Sequence, residues 1–328
     1  MGHGMNLTWA IILLCGGLVV LWKCAEWLVA GAVGLAHRLG VSPLVIGLTV
    51  VAMGTSTPEV AASIAAAARG VGDVAIGNVY GSNIANLALV GGLCALIRPI
   101  SIKKRMLRRE IPVMVLVALL LWPVLHDLHL SRPEGSALLG VFAALILLTV
   151  FLARRDKKLA TEKGDETDSP LRGSDIKKSL LFVVIGLAGL ALGADMTIRG
   201  AVFIGEQIGL SKAVIGLTII AIGTSLPELV TCMVAAVKGH HDISIGNLVG
   251  SNVFNTLLVT GTAGVIRPFA LSRQQLAGVD YWIMIIVSVG FASLAILGRR
   301  VIGRAGGVVL LCGYVAYMVY LLGYTAGV

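Results

Sequence analysis

The stretch Gly47-Leu48-Thr49-Val50-Val51-Ala52-Met53-Gly54-Thr55-Ser56-Thr57-Pro58-Glu59 decides how the chain is read. It sets a carboxylate, several hydroxyls, a proline and two glycines inside a run otherwise apolar enough to lie in a bilayer. A charged side chain at mid-depth costs at least ~2.5 kcal/mol, so an acid held there points to a function or a partner. The stretch recurs as Gly216-Leu217-Thr218-Ile219-Ile220-Ala221-Ile222-Gly223-Thr224-Ser225-Leu226-Pro227-Glu228. The register runs without a gap from Gly40–Pro99 onto Gly209–Pro268, with half of the positions identical, so the chain is a duplication. A second block, Gly77-Asn78-Val79-Tyr80-Gly81-Ser82-Asn83-Ile84-Ala85-Asn86, matches Gly246-Asn247-Leu248-Val249-Gly250-Ser251-Asn252-Val253-Phe254-Asn255. Asp73 pairs with Asp242 in this register, and Ile97-Arg98-Pro99 with Ile266-Arg267-Pro268.

Composition sets the phase in which this happens. Apolar residues make up 57% of the chain and charged ones 13%, with mean hydropathy +0.93. Soluble domains carry about 25% charged residues, so this is an integral membrane protein. The net charge of +9 sits in short loops between apolar runs, where it reads as a topology signal rather than a nucleic-acid surface. Cys15, Cys24, Cys94, Cys232 and Cys312 lie in apolar segments without metal-ligand spacing, which indicates core filler, neither disulfides nor zinc. No Lys or Arg precedes the first apolar run, so a cleavable signal peptide is not expected and residues 6 onward are expected to remain as a span.

Ten apolar runs are expected to span the membrane, at 6–33, 43–68, 77–97, 111–126, 135–153, 178–204, 212–237, 246–266, 279–297 and 306–326. The fourth is the weakest, since Pro112 and Pro123 bracket it and His126, Asp127 and His129 crowd its end. The fold class expected is an all-α polytopic membrane protein of two inverted five-helix repeats. Its units are 1–153, with a core repeat near 43–97, and 178–328, with its counterpart near 212–266. Residues 154–177 read as a cytoplasmic linker, polar and too short for a domain. The connections 98–110, 154–178 and 298–305 are the richest in Lys and Arg, which places them inside and both termini outside. Five spans per copy is an odd number. The second copy therefore enters with opposite orientation, the architecture of transporters whose sites lie at midplane between the halves.

Pro58 and Pro227 each remove an amide donor and break the helix, freeing carbonyl oxygens; Gly54 and Gly223, four residues earlier, make the break cheap. Thr55, Ser56 and Glu59 fall within one turn, as do Thr224, Ser225 and Glu228. Asn78, Ser82 and Asn86 form one helical stripe, repeated by Asn247, Ser251 and Asn255. Two carboxylates with hydroxyls, amides and freed carbonyls make a set of hard oxygens suited to a cation such as Ca²⁺, which takes 6–8 of them. Against this stands a structural role. Ser and Thr back-bond to the preceding turn, Ser82, Asn86, Ser251 and Asn255 can act as interhelical hydrogen-bond glue, and Asn78, Asn83, Asn247 and Asn252 can serve in packing or capping. Glu26 and Asp195 also match across the repeat, but Lys23 and Arg199 lie one turn away, so local ion pairs are expected there. His37, His240 and His241 read as solvated loop residues, and Asn6-Leu7-Thr8 is a glycosylation sequon by pattern only.

Two copies of Gly-Thr-Ser-x-Pro-Glu, each followed by Gly-Asn-x-x-Gly-Ser-Asn-x-x-Asn, resemble the alpha repeats of the sodium/calcium exchanger branch of the cation/calcium antiporters, in its short prokaryotic form. The resemblance covers nearly the whole chain. It implies a secondary active antiporter exchanging Ca²⁺ for Na⁺ by alternating access, not an enzyme, without cofactor, in a prokaryotic plasma membrane. The bilayer and the two ions are its implied partners. The first and sixth helices would slide as the gate. The implied ligands are Thr55, Ser56, Glu59, Ser82 and Asn86 with Thr224, Ser225, Glu228, Ser251 and Asn255, joined by backbone oxygens of Ala52 and Ala221. Some members carry Asp where this chain has Asn255, so a third acid is absent. A proton-coupled cation exchanger on the same glutamates is the alternative. An intramembrane hydrolase built on Ser56 or Ser225 would need a His or Lys base at membrane depth, and the sequence offers none nearby.

Overall fold

The computed structural model describes residues 6–162, 175–210, 212–271 and 278–326. It is an all-α polytopic membrane protein. Helix α1 (Leu7–Leu39) starts where the Asn6 side chain accepts from Trp9 N–H at 2.9 Å and stops at Gly40 in the left-handed region. The asparagine of the sequon pattern is thus a helix cap. A bent pair follows, α2 (Pro43–Thr55) and α3 (Thr57–Ala68), kinked by 45°. Next come α4 (Gly72–Ile97), α5 (Ile111–Leu125), α6 (Arg132–Glu162) and α7 (Ile176–Gln207). A second bent pair, α8 (Thr218–Thr224) and α9 (Leu226–Val237), is kinked by 54°, and α10 (His241–Ile266), α11 (Val279–Leu297) and α12 (Arg304–Ala326) complete the order.

Among the described residues, seven helices are long and apolar enough to cross a membrane, and up to nine if each bent pair is one span. The remaining apolar run, 111–126, becomes α5, whose 15 α-helical residues give about 22 Å, short of the roughly 30 Å hydrocarbon core. A wider π turn, Met106–Glu110, leads into it, and Pro123 lies within it. The stretch expected as a linker begins as helix instead: α6 continues past Ala153 to Glu162. Residues 154–162 contain no Gly or Pro to stop it. The polar middle of that linker, 163–174, lies outside the described residues. Three further expectations need correction. Cys15 and Cys312 are exposed on the helix surface rather than filling the core, His37 lies in the last turn of α1, and His241 opens α10. His240 does lie in a connection, but burial, then Lys238, holds its imidazole below the ordinary value, so it is neutral near pH 7.

The long helices α1 and α7 run antiparallel along a seam of small residues. Gly193 lies against Gly17 and Leu21, Gly186 against Leu28, and Gly200 against Ala10 and Leu14. Between helices in lipid, where apolar side chains gain nothing by leaving the solvent, such close backbone contact is what holds a pair together. Elsewhere the two halves are stitched by mirrored contacts. The Arg98 guanidinium donates to Val237 O at 3.2 Å, and Arg267 donates to Ala68 O at 2.9 Å, so each arginine caps the C-terminus of the other half's broken helix. Those carbonyls lack intrahelical partners and lie at the negative end of the helix dipole, which suits a cation. Gly70 and Gly239 turn the chain beyond each cap with φ of 78° and 82°. Two short antiparallel pairings repeat the pattern: β1 (Ile100–Ser101) with β4 (Val301–Ile302), and β2 (His129–Leu130) with β3 (Phe269–Ala270).

One contact is not mirrored. Helix α1 packs along α9, whereas α7 makes no comparable contact with α3, and a cleft of about 220 Å³ opens between α7 and α8 beside Ile222 and Gly223. The close seam predicts a sharp difference between two glycines. A Cβ at Gly193 would stand 2.9 Å from Leu21 N and 3.0 Å from Gly17 O, whereas one at Gly290 meets nothing within 4 Å. Gly193→Ala should lower the melting temperature in detergent by an amount corresponding to about 1–3 kcal/mol, and Gly290→Ala should not.

Candidate cation site

The site begins with two helix breaks. Helix α2 widens into a π turn at Gly47–Val51 and ends at Ser56, whose φ and ψ of −81° and 6° leave the helical region. Helix α3 then restarts with Pro58 in its first turn, where its missing N–H is harmless. Glu59 therefore lies in the first turn of a new helix, at the positive end of its dipole. The second half repeats every step: a π turn at Gly216–Ile220, a break at Ser225 (φ −88°, ψ 6°), and Glu228 in the first turn of α9. Proline restarts the helix; the serine two residues before it marks the break itself.

The other walls are α4 and α10. Asn86 and Asn255 sit in further π turns, Ala85–Val90 and Asn255–Val259, with Ser82 and Ser251 one helical turn earlier. The turn carrying Asn86 packs on α9 and the one carrying Asn255 packs on α3, so each half supplies amides to the other half's glutamate helix. Glu59, Glu228, Ser56, Asn86, Ser251 and Asn255 are completely shielded, and Thr55, Ser82 and Ser225 nearly so. A hydrogen bond from Ser56 to Glu228 brings the two glutamate-bearing breaks together.

Several of these buried groups lack hydrogen-bond partners. Among the described residues, both carboxylate oxygens of Glu59, Oε2 of Glu228, the hydroxyls of Ser225 and Ser251, and the amide atoms of Asn86 and Asn255 have no hydrogen-bond partner. An unpaired buried polar group costs about 1–3 kcal/mol, so a cluster of them, mostly oxygens, is the donor set that a bound hard cation would satisfy. Among the described residues no group of three or more His, Cys, Asp or Glu forms a metal cluster. The set is two acids among neutral oxygens, which suits cargo that must leave again.

The two halves do not present this set equally. Ser56 Oγ donates to Glu228 Oε1 at 3.0 Å, while its mirror partners, Ser225 Oγ and the Glu59 carboxylate, stay unpaired. Thr55 Oγ1 donates across the halves to Asn247 Oδ1 at 3.0 Å, while the mirror hydroxyl of Thr224 donates, among the described residues, only to Ala221 O in its own helix, at 3.1 Å. Thr55 Oγ1 also reaches Ala52 O, at 3.4 Å. Ala52 and Thr55 are buried, whereas Ala221 is exposed and Thr224 partly so.

The four second-block asparagines outside the ligand set have packing partners. Asn78 Nδ2 donates to Glu59 O and to Ser63 Oγ, Asn247 Nδ2 to Cys232 Sγ, Asn83 Nδ2 to Thr256 Oγ1, and Asn252 Nδ2 to Leu248 O. Sequence reading missed Ser63, Thr231 and Cys232, although their spacing three or four residues after each glutamate puts them on its helix face. Thr231 Oγ1 is a further buried unpaired oxygen. Glu26 and Asp195 do pair locally, with Lys23 at 3.1 Å and Arg199 at 2.8 Å, and Glu26 takes Lys238 as well at 3.3 Å.

Comparison with known proteins identifies the family. Residues 9–151 and 178–323 match the family described as sodium/calcium exchanger protein. A putative antiporter, CaxA of Alkalimonas amylolytica, is 40% identical over 95% of this chain and 98% of its own length. The inner membrane protein YrbG of Escherichia coli K12 is 38% identical over 95% and 96%. A solved structure of the sodium-calcium exchanger NCX_Mj, soaked with zero Na⁺ and Ca²⁺, superposes with a TM-score of 0.82 at 29% identity, covering 96% of this chain and all of that one. The chain therefore belongs to the sodium/calcium exchanger family.

Proposed function

We propose that the protein is a secondary active antiporter that exchanges Ca²⁺ for Na⁺ by alternating access. The observation that carries this reading is the pair of fully buried glutamates, one from each half, set among unpaired buried oxygens. Two carboxylates balance one divalent ion, or a matching number of monovalent ones, so the two cargoes compete for one set of ligands. That set is Ala52, Thr55, Ser56, Glu59, Ser82 and Asn86 with Ala221, Thr224, Ser225, Glu228, Ser251 and Asn255, the two alanines acting through their carbonyls. With Asn255 neutral, the acids are limited to two.

In this reading α5 is also a span, giving ten in two inverted five-helix repeats, 1–153 and 178–328, joined by a cytoplasmic linker at 154–177. Both termini face outward in a prokaryotic plasma membrane. Mirrored arginine caps and strand pairings between the halves support the internal symmetry. The cleft beside α8 then faces outward, while the mirror region around Ala52 and Thr55 is shut on the inward side. The described state is open to one side only, which is what alternating access requires.

Three measurements test this. Glu59→Gln and Glu228→Gln keep shape but remove half of the charge that balances Ca²⁺, and each should reduce Ca²⁺ exchange in liposomes more than about tenfold, the factor that 1.4 kcal/mol produces. Near-normal flux in either would remove that residue from the site. Liposomes loaded with Na⁺ and diluted into choline buffer should accumulate radiolabelled Ca²⁺, and acid pH should inhibit uptake because protonation discharges the glutamates. Uptake that ignores internal Na⁺ but follows an imposed proton gradient would establish the proton-coupled alternative instead. For topology, Val71→Cys in a cysteine-free background should react with an impermeant maleimide in intact cells, and His240→Cys should not; labelling of both from one side would sink the inverted arrangement.

A further inference from the structure

We propose that Glu26, Lys238, Asp195 and Arg69 form an alternating ionic latch: Glu26–Lys238 holds the gate helices in the state described here, and Asp195–Arg69 replaces it in the opposite state. The proposal rests on the antiport reading and adds to it the residues that hold each state.

The geometry that points to it is a broken symmetry. Glu26 lies on α1, takes Lys23 from its own helix, and reaches Lys238 at the C-terminal end of α9, at 3.3 Å. Its mirror residue Asp195 lies on α7 and, among the described residues, pairs only with the base of its own helix, Arg199, at 2.8 Å. The residue equivalent to Lys238 in the gapless register is Arg69, which ends α3, is exposed, and has no ion-pair partner among the described residues. The long-range ion pair is thus made between α1 and α9 and left unmade between α7 and α3. This is the same division that the packing shows, with α1 lying along α9 and the cleft open beside α7.

Two pairs at the site divide the same way. Ser56–Glu228 and Thr55–Asn247 are formed, whereas Ser225 and Glu59 are unpaired and Thr224 donates only within its own helix. Three independent cross-repeat contacts are therefore closed on one side and unmade on the other. Since α1 and α7 are bound to each other along their glycine seam, they move as one body. A slide that separates Glu26 from Lys238 carries Asp195 toward Arg69. The chemistry conserves the number of long-range ion pairs through the cycle, while Lys23 and Arg199 stay with their acids and keep each charge neutralised in transit.

The latch is partly exposed, so each pair should bias the populations by about two- to fivefold. The test reads the position of the gate directly, without transport. In a cysteine-free background, Ala201→Cys on the cleft wall reports the open side by its labelling rate with an impermeant maleimide. Lys238→Ala should slow that labelling about two- to fivefold, Arg69→Ala should not slow it, and the charge exchange Glu26→Lys with Lys238→Glu should restore it. A disulfide between Arg69→Cys and Asp195→Cys should form in bilayers on addition of an oxidant and protect Ala201→Cys from labelling. One between Glu26→Cys and Lys238→Cys should leave it labelled. If both alanine variants shift the rate in the same direction, if the exchanged pair fails to restore it, or if the Arg69–Asp195 disulfide never forms, the latch is wrong. These outcomes are separable from failure of the antiport reading, which would show as absent Ca²⁺ flux in the unmodified protein.

Discussion

Two ionisable carboxylates, each wholly shielded from solvent, must be accommodated inside a protein whose surroundings are hydrocarbon, and the architecture follows from that. An isolated charge there is prohibitive, so the chain surrounds each glutamate with dipoles that only irregular helices can supply. Hydrogen bonding in a regular helix consumes every backbone carbonyl. The breaks at Ser56 and Ser225, and the π turns before them and at Asn86 and Asn255, release carbonyls and turn amides inward. Irregular backbone at this depth is tolerated because it is walled by other helices. The straight helices thus serve as the wall that lets four interrupted ones exist.

The same requirement divides the molecule into parts of different stiffness. The interrupted helices are tied to each other by polar contacts: Arg98 and Arg267 cap opposite halves, Asn78 binds Ser63, and Asn247 binds Cys232. Those contacts cross between elements and fix distances. The α1–α7 pair is joined internally by backbone contact at glycines, and apart from the Glu26–Lys238 ion pair α1 meets α9 through apolar surfaces. Cluster packing along α1 with Val230, Val234 and Ala235 of α9 is of this kind. Directional bonds in the core and non-directional contacts around it are what a fixed site with a moving wall needs.

The sequence displayed the duplication, the breaks and the acids because each has a local signature: a gapless register, a proline in an apolar run, and a glutamate where hydrocarbon is expected. Ser56, Glu59, Asn86 and their counterparts were readable for that reason. The π turns were not, since Gly47–Val51 and Ala85–Val90 contain nothing that a regular helix would refuse. Helix α5 was legible as the weakest run, since Pro112 and Pro123 bracket it, and its α-helical part covers 15 residues, Ile111–Leu125. Lys238 could not be assigned to Glu26 either. Lys23 satisfied the acid at helical spacing, and only the tertiary fold brings a base from the far end of the second half.

The least legible feature is the one that makes a repeat useful. Equivalent residues occupy different environments: Thr55 is buried and bonded across the halves, and Thr224 is partly open. A duplicated sequence gives two conformations related by exchanging the roles of its halves, and like-for-like exchange of contacts keeps them close in energy. Small energy gaps are what allow an ion's differential binding to choose between states, since a ligand shifts an equilibrium only by that difference. Where the copies have diverged, the substitutions keep the bond while changing its bearer. Ser63 Oγ donates to Ala75 O at 3.2 Å in the first half; in the second, Ser244 Oγ donates to Cys232 O at 3.1 Å, the hydroxyl having moved to the other helix of the same pair. The contact that ties the glutamate helix to its neighbour survives in both halves by opposite means. Divergence that preserves each half's rigidity, while leaving the cross-repeat pairs interchangeable, keeps the two states near balance.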